Sequence, residues 1–113
     1  MEREEIINIT CPDCHGPITE LQENGLLQYR CLIGHLYDVR TFLEARLDAE
    51  ERALWSAVVA LEQTALLLQR LTPRVPSDRG KDLERCAELK REQAQQIRAL
   101  VETAKSKFTS DMV

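Results

Sequence analysis

Four side chains restrict this chain more than anything else in it: Cys11 and Cys14 in "CPDCHG", and Cys31 and His35 in "CLIGH", with sixteen residues between Cys14 and Cys31. Three thiols and an imidazole in two short pairs are the donors and spacing of a zinc ribbon, where a hairpin carries two knuckles to one tetrahedral ion. The intervening "PITELQENGLLQYRC" supplies the hairpin. It reads as two short strands, about 18–22 and 26–31, around Asn24-Gly25, a dipeptide suited to the positive φ values of a tight turn. Gly16 and Gly34 lie where each knuckle must turn sharply, and Pro12 fixes φ in the first turn. Cys11, Cys14, Cys31 and His35 are therefore the expected metal ligands. Four protein donors leave no position for water, the mark of a structural rather than a catalytic zinc.

Cys11-x-x-Cys14-His15 is also the spacing of covalent haem attachment. That chemistry needs an exported chain and an apolar wrapping for the macrocycle. "MEREEIINIT" has no basic segment followed by an apolar one, so a cytoplasmic, reducing compartment is expected, with the cysteines as ligands or buried thiols rather than disulfides. The expected cofactor is one structural Zn2+ per chain and no haem. His15 reads as an exposed loop residue beside a ligand, with a contact to the site or a fourth-ligand role as alternatives. Cys86, far along a later helix, reads as a small buried apolar residue. A dithiol redox pair lacks the surrounding βαβ pattern, but a thiol–zinc switch, in which oxidation of Cys11 and Cys14 loosens the hairpin, is an alternative function.

From Asp38 the period changes. Asp38 is a candidate N-cap, and the chain then runs without Gly or Pro to Pro73, a helix of about thirty residues and roughly 45 Å. Leu43, Leu47, Leu54, Val58, Leu61, Ala65 and Leu68 recur at three- and four-residue steps, flanked by Trp55, Val59 and Leu66 on one side and Ala57, Ala60, Leu67 and Leu71 on the other. "TPRVPS" breaks the chain, and Ser77 or Asp78 can cap a second, more polar helix to about Phe108. The expected fold is α+β, mostly α: a zinc ribbon over 1–37, then an antiparallel helical hairpin over 38–113 with helices near 38–72 and 78–108. One thin hairpin cannot cover so apolar a first helix, so a homodimer through helix 38–72 is expected, with a seam of Leu54, Val58, Leu61 and Leu68, unless the ribbon folds over the spare face.

Several functions are argued against. The longest apolar run is broken in its middle by Glu62 and Gln63, against a membrane span. The first third carries Glu2, Glu4, Glu5, Asp13, Glu20, Glu23 and Asp38 against Arg3 and Arg30, and the chain is only 4% aromatic, which disfavours a nucleic-acid-binding ribbon and leaves it as an alternative. No serine lies in a nucleophile elbow, no Gly-rich phosphate loop is present, and both histidines fall outside the helices, so no enzyme is expected.

The order of parts, "CPDCHGPITELQENGLLQYRCLIGHLYD" followed by "ERALWSAVVALEQTALLLQRL", resembles the C-terminal accessory region of some CheB-type chemotaxis protein-glutamate methylesterases, over about residues 9 to 105. There a Cys-Pro-x-Cys-Gly knuckle, a hairpin and a Cys-x-x-Gly-His knuckle precede a helical hairpin. The resemblance implies the same four ligands and architecture and a role beside a chemosensory or two-component protein. It implies no esterase activity, because the α/β domain with its serine nucleophile is absent. His15 stands where the related pattern has Gly. The expected function is a zinc-stabilised protein-interaction and oligomerisation module with an unidentified protein partner.

Overall fold

The computed structural model of the chain describes residues 2–105, and Phe108, the expected end of the second helix, lies outside them. Four strands, β1 (Arg3–Thr10), β2 (Pro17–Glu23), β3 (Leu26–Cys31) and β4 (Leu36–Asp38), precede two long helices, α1 (Val39–Leu71) and α2 (Ser77–Lys105), joined through a 3-10 turn at Thr72–Arg74. The fold is α+β and mostly α, as expected. The chain divides into two compact units after Glu50.

The first unit is built on an antiparallel sheet in the order β1-β2-β3-β4. Its central hairpin turns at Asn24 (φ 52°) and Gly25 (φ 79°), the two positive φ values whose twist matches the flanking strands. That turn sets Ile18 opposite Cys31, so the hairpin delivers the second knuckle beside the first. β1 and β4 were not expected from the sequence. β1 is an edge strand with seven of its eight residues exposed, and its pairing with β2 is irregular between Ile7 and Thr10, so it shows no alternating pattern. β4 is only three residues long.

The core of this unit is Cys11, Ile18, Cys31, Tyr37 and Phe42, with Ile7, Cys14, Tyr29 and Ala45 packed on it. Two candidate ligands, Cys11 and Cys31, thus lie in the core and a third, Cys14, packs against it. Phe42 stacks on Tyr29 at 4.5 Å and tilts against Tyr37 at 5.4 Å. Aromatic rings therefore gather where a small unit has few aliphatic side chains to bury. Phe42 comes from the first turn of α1, whose start is fixed by Asp38: its Oδ1 accepts from the Thr41 N–H at 2.8 Å. That bond, then the Thr41 hydroxyl and the Arg40 charge, hold the Asp38 carboxyl below its ordinary range. The compact unit accordingly takes in the opening turns of α1, beyond the change of period near residue 38.

In the second unit the covered residues follow a heptad. Leu54, Val58, Leu61, Ala65 and Leu68 on α1, and Gly80, Leu83, Ala87, Lys90, Ala94, Ile97 and Val101 on α2, are buried or half-buried, alternating in steps of three and four as an antiparallel pair requires. The chain returns on itself: a Cβ on Gly80 would come 3.2 Å from the Thr72 carbonyl oxygen, while Arg98 pairs with Glu62 and lies 5.4 Å over Trp55. Gly80, Ala87 and Ala94 are the small residues at which α2 is most covered. Of the residues of the expected dimer seam, Val58 has no exposure within a single chain, while Leu54, Leu61 and Leu68 are half-buried. Among the described residues of this unit, the large apolar side chains left exposed include Val59, Leu66, Leu67, Leu89 and Leu100.

Candidate metal centre

Two knuckles present the four donors. In the first, the chain tightens so that the Cys11 N–H bonds the Gly16 carbonyl at 2.7 Å and the His15 N–H bonds the Cys11 carbonyl at 2.9 Å. In the second, the Cys31 N–H bonds the His35 carbonyl at 3.0 Å and the Gly34 N–H returns to the Cys31 carbonyl at 3.2 Å. Gly34 has φ 101°, which only glycine adopts freely. The corresponding strained position in the first knuckle is not Gly16, as its place suggested, but His15, with φ 63°. In this knuckle a residue with a Cβ carries the positive φ.

Cys11, Cys14, Cys31 and His35 converge, with one donor atom of each lying within 4.8 Å of every other. His35 directs Nδ1 inward, 3.2 Å from the Cys31 sulfur and 3.7 Å from the Cys11 sulfur. A tetrahedral ion with Zn–S near 2.3 Å and Zn–N near 2.0 Å sets its ligand atoms roughly 3.5–3.8 Å apart, so the set closes on such an ion with shifts of about 1 Å or less. All four sequence-expected ligands are brought together and can hold a metal ion. His15 is exposed and Cys86 half-buried on α2. Neither belongs to the group.

The surroundings favour the charged form at Cys31 but not at Cys14. The His35 N–H donates to the Cys31 sulfur at 3.2 Å. Burial pushes the Cys11 thiol up, while the N–H groups of Cys14 and Asp13 and the Cys14 thiol pull it down; the one Tyr37 proton goes to Asp13, so its oxygen faces the Cys11 sulfur as an acceptor. Burial likewise raises Cys31, and the N–H groups of His35 and Ile33 carry it below its ordinary value. Cys14 moves the other way: the Gly16 N–H favours its thiolate, but burial and the neighbouring Cys11 and Cys31 sulfurs prevail. His35 is raised by the sulfurs of Cys11 and then Cys31. Crowded sulfurs that cannot all ionise alone, with N–H groups aimed at them, suit a borderline-soft divalent cation.

Sequence reasoning missed Tyr37 and Asp13. The Tyr37 hydroxyl lies 3.2 Å from the Cys11 sulfur and donates to the Asp13 carboxylate. Burial first, then these two partners, push the phenol above its ordinary value. The alternation in "HLYD", with Leu36 exposed and Tyr37 buried, was the available signal, too short to read as a strand. No protein-family model, no curated protein and no solved structure matches this chain.

Proposed function

We propose that the chain is a zinc-stabilised protein-interaction module in which one structural Zn2+, held by Cys11, Cys14, Cys31 and His35, fixes the shape of a docking surface. The observation that carries this reading is the convergence, among the described residues, of three thiols and one imidazole from two knuckles. With every position filled by protein, the ion supplies rigidity and leaves no room for a reacting water. The surface lies beside the ligands: Leu32 and Ile33, between Cys31 and His35, are 78% and 73% exposed, and Leu36 follows at 55%. Three large apolar side chains held out on a metal knuckle suit a partner rather than solvent. Through Glu50 the chain has ten acidic side chains against four basic, which supports a protein partner over nucleic acid. The resemblance to the CheB-type accessory region makes a chemosensory or two-component protein the first partner to try. The hairpin serves as the dimer element, through the exposed Val59, Leu66 and Leu67 of α1.

The test is capture from native cells with wild type, Cys31→Ser, and a double Leu32→Ser, Ile33→Ser variant. Both variants are expected to lose the protein that wild type retains, the second while keeping its metal. Retention of that protein by both would remove the ribbon from the function.

A further inference from the structure

The Tyr37 hydroxyl is more than a buried polar tip. Asp13 lies between the two cysteines of the first knuckle, whereas Tyr37 lies on β4, two residues past His35 of the second. The hydroxyl donates to the Asp13 carboxylate and sits 3.2 Å from the Cys11 sulfur, so one side chain spans both knuckles across 24 and 26 residues of sequence. Its position is fixed from two further sides. β4 pairs Tyr37 with Tyr29, and the ring packs on Phe42. A phenylalanine would fill the same space without a hydroxyl to desolvate, so packing does not explain the oxygen.

We infer that Tyr37 and Asp13 form a clasp that sets the two knuckles at the separation the metal needs, with Tyr37 as a positioning residue for Cys11. The inference rests on the four residues being metal ligands. A group that holds ligands in place before binding lowers the ordering cost that binding must overcome, and outer partners of this kind typically change metal affinity 10–100-fold. Because the hydroxyl and the carboxylate act through one hydrogen bond, their effects are shared rather than independent.

Zinc affinity measured by chelator competition on the full chain, for wild type, Tyr37→Phe, Asp13→Ala and the double variant, tests this. Each single variant is expected to bind about 10–100-fold more weakly, and the double no more weakly than the worse single. In the Co2+-loaded protein, Tyr37→Phe is expected to shift the sulfur-to-metal charge-transfer band, which loss of packing alone would not do. Asp13 is exposed, so its variant reads the clasp without disturbing the core should Tyr37→Phe misfold. Asp13→Ala with wild-type affinity, or losses that multiply in the double variant, would overturn the clasp. A wild-type chain that takes up no zinc would instead refute the metal site, and the clasp with it.

Discussion

His15 shows how much one residue can cost a small metal knuckle. Its φ of 63° is a left-handed conformation that a residue with a Cβ occupies at roughly 1–2 kcal/mol. Its side chain is exposed and outside the donor group, so nothing in the site offsets that strain. His15→Gly is expected to stabilise the zinc-loaded ribbon by about 1 kcal/mol, read as a higher midpoint in denaturant. An unchanged or lower midpoint would show that the imidazole has a role of its own. The residue scale is also where the sequence was most and least informative. The ligands were legible because thiols and imidazole at that spacing have few other uses. The strained position was misplaced to Gly16 because a glycine attracts the assignment whether or not it bears the unusual φ. Tyr37 and Asp13 went unread because a clasp between residues 24 apart leaves no local pattern.

Among the elements, the α1 stripe was legible from its period, but its partner was not. Period alone tells that a face is covered and not by what. Small residues at Gly80, Ala87 and Ala94 on α2 do not look like a hydrophobic face, yet all three are buried. Of the apolar seam assigned to a second copy, Val58 is covered within one chain, and two substitutions separate the inner face from the outer. Val58→Glu is expected to unfold the hairpin, because an unpaired charge would be buried at a position with no exposure at a cost of several kcal/mol. Leu66→Glu with Leu67→Glu, at positions each 57% exposed, is expected to leave helical circular dichroism intact and, with the proposed dimer face lost, to sediment as a monomer. A folded, still dimeric double variant would refute the dimer face. The strands divide the same way: the β2–β3 hairpin announced itself through Asn24-Gly25, whereas the exposed edge strand β1 carried no alternation to read.

For the molecule as a whole, 113 residues bury little apolar surface, and a chain of this size depends on whatever ties it together. The first unit concentrates that dependence, since two of its five buried core residues, Cys11 and Cys31, are donors of the cluster. Metal binding and folding of such a unit are one free energy, and the opening turns of α1 share it through Phe42 and Ala45. Among the described residues no helix is long and apolar enough to cross a membrane. The most direct test of the account is elemental analysis of the purified chain beside its Cys31→Ser variant. One zinc per wild-type chain and a large loss in the variant are expected; iron in near-unit amount, or zinc undiminished by the substitution, would overturn the zinc site.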